Sequence, residues 1–256
     1  MMLDKDIGLE RRELGICVSG GLDSTLAVYW ALLEGGYKES DIMYFNFDIG
    51  QPYAAKEQKV LASIFSRGTV KTFHLDLIRK DLNNIPTEEK YIIPARNLIF
   101  ATIAAGFVKR VWVMGMKYEN HYKMSDKNDM FYHTATVACT QAVGQYTLVE
   151  SPFITLTKTD IIKFALKWNL QTPMGKTTSC YHPDHLRCGK CSLCFKRYIA
   201  MKANGIDEKY ETDPTHGKEA DKLMASYMEA WKNKDFTHYE QERIEETFKV
   251  LGVKYE

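Results

Sequence analysis

No apolar run in the 256-residue sequence approaches the roughly 18 residues needed to cross a bilayer. The first residues, Met1 to Arg12, are mixed and charged, and they lack the apolar centre of a signal peptide. Internal repeats and low-complexity tracts are also missing. We therefore expect a cytoplasmic protein with no membrane partner.

The sequence also lacks an excess of either charge. Its 34 basic and 33 acidic side chains leave a formal net charge of +1, although charged residues make up 26% of the chain. Proteins that bind nucleic acid or a membrane surface usually show a basic bias. The balance therefore favours a small-molecule substrate, and a nucleic-acid partner is not expected. Apolar residues make up 45%, which is enough for the core of one domain with an appendage.

Strand-like and helix-like segments alternate through residues 1–175. The five predicted strands cover residues 13–19, 41–48, 69–77, 111–116 and 146–150. The predicted helices between them cover 22–34, 52–66, 97–109 and 129–144. A further helix is expected to start at a capping box formed by Thr157 and Asp160. This alternation predicts an α/β domain, a doubly wound parallel sheet of Rossmann-like type with helices on both faces.

Residues 176–256 form the predicted second part of the chain, a zinc-binding loop and C-terminal helices packed on the first domain. The segment 171–189 is rich in proline and glycine and is expected to consist of turns. Two amphipathic helices are predicted near residues 218–233 and 239–251. Their apolar faces are expected to pack on the body or on a second subunit, and we expect a homodimer.

A phosphate-binding loop is predicted between the first strand and the first helix, where residues 19–25 read SGGLDST. A helix N-terminus presents free N–H groups, and two glycines let the backbone approach phosphate oxygens. Ser19, Ser24 and Thr25 add hydroxyl groups. Asp23 is expected to cap the helix and to help hold Mg²⁺. No lysine follows the glycines, which excludes the kinase-type GxxxxGK(S/T) loop.

Four of the six cysteines lie within fifteen residues, with the spacing Cys180-x7-Cys188-x2-Cys191-x2-Cys194. Such hooks supply adjacent corners of a zinc tetrahedron. Four thiolates complete the shell, which indicates a closed, structural Zn²⁺ site. An iron–sulfur cluster is the alternative.

Basic residues around the cysteines are expected to offset the thiolate charge. They are Arg187, Lys190, Lys196 and Arg197. The histidines between the first two cysteines, His182 and His185, are interpreted as loop residues. The two remaining cysteines, Cys17 and Cys139, are interpreted as core residues.

The SGGLDS string resembles the PP-loop of the N-type ATP pyrophosphatases, which split ATP into AMP and pyrophosphate. Over roughly residues 15–203, the chain resembles more narrowly the 7-cyano-7-deazaguanine synthase (QueC) family. The segments that carry the resemblance are 47–51 (FDIGQ), 93–100 (IPARNLIF), 152–158 (PFITLTK), 179–181 (SCY) and 188–197 (CGKCSLCFKR).

The resemblance implies an adenine nucleotide alpha hydrolase-like fold and an ATP-dependent C–N ligase. Its substrate would be 7-carboxy-7-deazaguanine. ATP would adenylate the carboxylate, ammonia would give the amide, and a second ATP would give the nitrile, 7-cyano-7-deazaguanine. ATP, Mg²⁺ and structural Zn²⁺ are the implied cofactors, and ammonia is the amine donor.

The resemblance also suggests roles for single residues. Asp23, Lys158 and Arg96 are the predicted catalytic residues. Arg96, Asn97 and Asp126 are predicted to bind the substrate. The predicted ATP site consists of Val18, Ser19, Gly20, Gly21, Leu22, Asp23, Ser24, Thr25, Asp48 and Gln51.

Residues 118–128 depart from the family pattern, although Asp126 matches an aspartate of the family that lies near the purine. Asn120 replaces an aspartate, and Thr178 replaces an apolar or aromatic residue. Alternatives therefore stay open. The enzyme could stop at the amide, or pass the acyl group to another amine, including a protein acceptor, in a DNA-modification or defence pathway.

Two rivals of other kinds also follow from the sequence. One is a PP-loop enzyme that acts on tRNA, which the neutral charge disfavours. The other is a zinc-stabilised interaction protein with a degenerate loop, which the intact SGGLDS string disfavours.

Overall fold

A computed structural model describes residues 10–65, 69–77, 93–119 and 125–254. Five strands form one parallel sheet in the order β3-β2-β1-β4-β5. They are β1 (Arg12–Cys17), β2 (Ile42–Asp48), β3 (Val70–His74), β4 (Val108–Trp112) and β5 (Leu148–Glu150). The predicted α/β class with a doubly wound parallel sheet is confirmed.

Nine α-helices belong to the described part of the chain. They are α1 (Leu22–Leu33), α2 (Ala54–Ile64), α3 (Arg96–Ala105), α4 (Asp129–Val143), α5 (Lys158–Lys167), α6 (Gln171–Lys176), α7 (Ser192–Ala203), α8 (Lys218–Asn233) and α9 (Gln241–Leu251). Short 3-10 turns cover Glu39–Asp41 and Ser125–Lys127. No described helix is long and apolar enough to cross a membrane.

The sheet separates two hydrophobic cores. Leu14 and Ile16 of β1 point into the core shared with α1 and α5, while Phe45 lies in the other core with α3 and α4. Gly15 alternates with Leu14 and Ile16, and a Cβ there would lie 2.7 Å from the Phe45 ring and 2.8 Å from Val108. The absent side chain is what allows Phe45 to fill this core.

The position of the site follows from the strand order. The chain runs outward from β1 to β2 and β3, and then returns to β4 on the other side of β1. Open parallel sheets bind ligands outside the carboxyl ends of the strands at such a reversal. Residues that follow β1 and β4 therefore face a shared crevice.

Two predicted boundaries were wrong. The helix predicted over 97–109 ends at Ala105, and the strand predicted over 111–116 is Val108–Trp112. The charged Lys109 and Arg110 suggested a boundary after residue 109, but both lie within β4, whose register is set by the pairing of Val108 with Arg12. The segment 171–189 also begins with a helix, α6. Its Pro173 lies in the first turn, where the backbone N–H that proline lacks would have no partner within the helix.

The C-terminal helices form two satellite clusters. Phe195 and Ile199 of α7 pack against α8 and the end of α9, and Tyr227 packs with Ile244 and Phe248 between α8 and α9. Helix α7 contacts α5 of the first domain. The proposed boundary between residues 175 and 176 falls inside α6 and stays a prediction.

A buried ion pair holds the segment after α7 against α6. Arg197 is 1% exposed and binds Glu208 with two hydrogen bonds of 2.8 Å. The guanidinium also donates to Thr177 Oγ1 and to the Met174 carbonyl. Arg187 lies 2.9 Å from the same carboxylate. Burial raises the Glu208 pKa, but the arginines outweigh it and lower that pKa. Arg187 and Arg197 therefore neutralise Glu208, and their expected role beside the thiolates was wrong.

Glu208→Gln should lower the free energy of unfolding by about 3–5 kcal/mol, because two buried guanidinium groups would lose their carboxylate. Urea unfolding of the zinc-loaded protein measures this change. The adjacent Asp207 is 84% exposed and pairs with Lys202, so Asp207→Asn is the matched control with a much smaller effect. Equal effects of the two substitutions would contradict a dominant role for the buried pair.

Candidate active site

A cleft of about 1330 Å³ opens beside the carboxyl ends of β1 and β4. Its walls come from the loop after β1, from the starts of α3 and α5, and from α7, α8 and α9. Eleven of the predicted catalytic, ATP and substrate residues line it: Val18, Ser19, Gly21, Leu22, Asp23, Ser24, Gln51, Arg96, Asn97, Asp126 and Lys158. Gly20, Thr25 and Asp48 do not line it. Gly20 and Thr25 are buried, and Asp48 is partly exposed beside His74.

The loop after β1 is closed by its own hydrogen bonds. The Ser24 hydroxyl donates to the Gly21 carbonyl at 3.3 Å and accepts from the Ser19 amide at 3.2 Å. Gly20 has a φ of +72°, and a Cβ there would lie 2.9 Å from Val60. The N-cap of α1 is Gly21, which has no side chain to accept the first amides of the helix. These amides are therefore available to an anion.

Asp23 lies within the first turn of α1, and its predicted capping role was wrong because Gly21 occupies the cap. Its carboxylate instead forms an ion pair of 2.5 Å with Lys158. Lys158 is the first residue of α5, which is capped by Thr157 and Asp160 as predicted. A carboxylate and an ammonium group thus lie together at the phosphate loop. The Asp23 carboxylate is suited to a cation, and the Lys158 ammonium group is suited to a phosphate oxygen.

A second ion pair lies beside the first. Lys127 Nζ is 2.9 Å from Glu119, whose carboxylate also accepts the Met116 amide at 3.2 Å. Burial would raise the Glu119 pKa, but Lys127 and Lys158 outweigh it and hold that pKa at about 2. Glu119 therefore stays ionised at neutral pH. The sequence interpretation missed Glu119 and Lys127, because the pairing depends on the path of residues 117–127.

The predicted substrate residues come together at the start of α3. Ala95 precedes the helix with a left-handed φ of 59°, a strained value for a residue with a Cβ. This bend places Arg96 and Asn97 at the cleft. Asn97 Nδ2 donates to the Asp126 carbonyl at 3.2 Å, so Asn97 fixes the backbone of the predicted base-binding residue. The departed residue Asn120 lies outside the described residues.

A pair of polar side chains lies at the end of β2. Gln51 accepts the Ile49 amide at 2.8 Å and donates to Glu57 at 2.6 Å. Burial raises the Glu57 pKa to about 7, although the bond from Gln51 opposes the rise. Asp48 instead accepts the Gly50 amide and lies 3.2 Å from His74. Glu57, which carried no sequence signal, is therefore the carboxyl group that shares the cleft with Gln51.

The four predicted metal ligands converge. The sulfur atoms of Cys180, Cys188, Cys191 and Cys194 all lie within 4.8 Å of one another, and three of the four residues are buried. Backbone amides of His182 and Lys190 point at the sulfurs of Cys180 and Cys188, each at 3.3 Å. Amide-to-sulfur bonds of this kind stabilise thiolates, and the four-sulfur set fits tetrahedral Zn²⁺. The group contains no histidine within the described residues.

Comparison with known protein families identifies the family of this chain. Residues 15–205 match the family model of the queuosine biosynthesis protein QueC. The chain belongs to the QueC family. The predicted family and the prediction of an ATP-dependent enzyme are confirmed.

Curated relatives of QueC type cover most of the chain. It is 27% identical over 218 residues to the 7-cyano-7-deazaguanine synthase of Archaeoglobus fulgidus, which is 77% of this chain and 88% of the relative. For the 7-cyano-7-deazaguanine synthase of Thermoplasma acidophilum, the identity is 27% over 235 residues, 82% and 97% of the two chains. For 7-cyano-7-deazaguanine synthase 2 of Colwellia psychrerythraea, it is 26% over 218 residues, 77% and 97%.

Lys56 joins the cysteine loop to the body of this QueC-family chain. The side chain is buried, and its ammonium group donates to the carbonyls of Cys180, His182 and His185 at 2.6, 2.5 and 3.1 Å. A lysine on α2 thus caps three carbonyls of a loop 124 or more residues away. No spacing in the sequence indicates this contact.

The C-terminal side of the cleft carries more positive charge than the sequence suggested. Lys196 of α7 lines the cleft and does not neutralise the thiolates as predicted. Burial, and then repulsion from Arg243 of α9, lower the pKa of Lys196 to about 8. Arg243 lies beyond the residues matched by the QueC family model, and sequence reasoning missed it.

Purified protein should contain about one zinc per chain, and Cys191→Ser should lose the metal and melt at a lower temperature, since structural zinc contributes to folding. Elemental analysis and thermal melting measure both quantities. Cys139→Ser is the control, because Cys139 is buried in the distant sheet core and should keep the zinc. A metal-free wild type of unchanged stability would exclude a structural zinc.

Proposed function

We propose that this enzyme converts 7-carboxy-7-deazaguanine to 7-cyano-7-deazaguanine with ATP and ammonia. The observation that carries the proposal is the meeting of three features in one cleft. These are the uncapped start of α1, the Asp23–Lys158 pair, and the Asn97–Asp126 corner. The first two suit a nucleotide, and the third suits the donor edge of a guanine-like ring.

The first chemical step is activation of a carboxylate. A carboxylate oxygen attacks the α-phosphorus of ATP, and pyrophosphate leaves. The acyl adenylate then reacts with ammonia, AMP leaves, and one proton is lost to give the amide. A carboxylate is inert toward ammonia until its oxygen becomes a good leaving group, and the chain supplies position and charge for this change.

The second step repeats the activation on the amide. The amide oxygen attacks the α-phosphorus of a second ATP and pyrophosphate leaves. Departure of AMP with the loss of both nitrogen-bound protons then leaves the nitrile. The same phosphate loop serves both steps, because each forms a bond between a substrate oxygen and the α-phosphorus. We assign the amides of α1 and Lys158 to the phosphates, and Asp23 to Mg²⁺.

Substrate recognition is assigned to the opposite wall. The Asp126 carboxylate can accept from both the exocyclic amino group and the ring N–H of a deazaguanine. Asn97 holds the Asp126 backbone at 3.2 Å, and Arg96 precedes it with a guanidinium suited to a carboxylate or phosphate. Zinc has no chemical step in this proposal. Its four cysteines hold the loop that closes the cleft.

Incubation with ATP, Mg²⁺, ammonia and 7-carboxy-7-deazaguanine should give AMP and pyrophosphate together with the nitrile. Nucleotide chromatography and product mass spectrometry measure both. Ser24→Ala should lower AMP formation at least about tenfold, because it opens the loop and removes a phosphate contact. ADP as the main product would refute the proposal, and an accumulating amide or conjugate would select one of the alternatives.

Asp126→Asn should raise the KM for the deazaguanine at least about tenfold and leave the KM for ATP nearly unchanged, since a bidentate, charge-assisted contact is lost. Steady-state kinetics with each substrate varied in turn measure the two constants. Asp129→Asn is the control. Asp129 lies in the first turn of α4, whose cap is Asn128, and the Asn128 side chain accepts the Phe131 amide. Normal turnover by Asp126→Asn would exclude this role.

A further inference from the structure

Helix α9 reaches the cleft from beyond the residues matched by the QueC family model. Its Glu242 anchors the helix. The carboxylate lies 2.6 Å from Lys117 Nζ and accepts the Tyr118 hydroxyl. The next residue, Arg243, donates from Nη1 to the Tyr118 carbonyl at 3.2 Å. Two successive residues thus fix α9 on the segment that follows β4, and this contact places Arg243 in the cleft wall.

Neither Arg243 nor Lys196 forms an ion pair within residues 10–65, 69–77, 93–119 and 125–254. The carboxylates that act on them electrostatically, Glu246 on Arg243 and Glu119 on Lys196, make no close ion-pair contact with them. Glu246 of α9 also lines the cleft, and Arg243 opposes the rise that burial causes in the Glu246 pKa. A guanidinium has five N–H donors, and the Tyr118 carbonyl and the nearby Tyr227 hydroxyl occupy only some of them.

Lys196 of α7 and Arg243 of α9 both line the cleft where their helices pack against each other, so their like charges repel. Lys196 is half-buried on α7, so water screens this repulsion only in part. Lys127 and Lys158 lie near enough to add to the positive potential, but each of them already has a carboxylate partner, Glu119 and Asp23. An oxyanion between Lys196 and Arg243 would remove the repulsion and use the free donors.

We propose that Arg243 and Lys196 form a second oxyanion-binding site of the cleft, distinct from the phosphate loop. The ligand class is a carboxylate or phosphate group, which in the proposed reaction comes from the deazaguanine acid or from ATP. The inference rests on the proposed function for the names of these two ligands. The placement of the two cations in the cleft does not depend on it.

The two ligands, the deazaguanine acid and ATP, can be distinguished in the second half of the reaction, which starts from the neutral amide and still consumes ATP. If the site binds the substrate carboxylate, Arg243→Gln raises the KM for the acid at least tenfold and leaves turnover of the preformed amide unchanged. If the site binds phosphates, Arg243→Gln raises the KM for ATP at least tenfold with either starting compound. Lys196→Gln should act in the same direction, and it tests the site from a different helix.

Lys249→Gln is the matched control, because Lys249 is exposed on the same helix. Arg243→Lys keeps the charge but loses the planar fork and should recover part of the affinity. Calorimetric binding of Mg-ATP, of the acid and of the neutral amide gives a readout that needs no turnover. Circular dichroism identifies any variant that does not fold, and Lys196→Gln and Arg243→Lys then carry the test.

Unchanged KM values and unchanged binding of both ligands in the folded Arg243 and Lys196 variants would overturn the inference. Failure of the proposed function has a different signature, in which the wild type forms no AMP from the deazaguanine acid. The equilibrium binding of ATP to the variants then decides the inference by itself, with a tenfold loss supporting it and no loss overturning it.

Discussion

The site depends on a tie between two distant parts of the chain. The Thr178 amide donates to the Gly20 carbonyl at 3.0 Å, so the segment that leads to the zinc ligands is bonded directly to the phosphate loop. Lys56 reinforces the tie by capping carbonyls of the cysteine loop from α2. A zinc ion on the four cysteines would therefore support the site without touching substrate. It would hold the cysteine loop, which is bonded to the backbone turn at Gly20 before α1.

Charge is distributed in a way that the composition cannot show. The chain is nearly neutral, yet lysines and arginines from several separate elements line one cleft, and only some of them form ion pairs. Asp23 and Glu119 pair with Lys158 and Lys127, whereas Lys196 and Arg243 form no ion pair within the described residues. In a partly buried cleft such charges attract anions far more strongly than they would on an open surface. A nearly neutral protein can therefore present a cationic cleft to ATP and to the proposed carboxylate substrate.

Sequence reasoning succeeded where one local segment carries the information. The loop at 19–25, the capping box at Thr157 and the cysteine spacing each specify their geometry within about fifteen residues, and each was found. It failed where the partner is distant. Arg197 was assigned to the thiolates because they are neighbours in sequence, but Glu208 is its partner in space. Asp23 was predicted to cap α1 because caps are common at that position. Only the position of α5 in the fold shows that the Asp23 carboxylate forms an ion pair with Lys158. The end of α3 and the start of β4 were also misplaced, because the register of β4 is set by its pairing with β1, which is distant in sequence.

The two features that distinguish this chain from the family pattern contact each other. Residues 118–128 depart from the usual QueC sequence, and α9 lies outside the matched residues, yet Glu242 and Arg243 of α9 bind Lys117 and Tyr118 where that departure begins. A change in one would leave the other without its partner, so the two are best understood as a single structural unit. Its described residues Lys117, Tyr118, Glu119 and Arg243 line the cleft, and Glu119 lies near enough to Lys158 to interact with it electrostatically. Any difference from other family members is expected in the acceptor that meets the activated group at this wall.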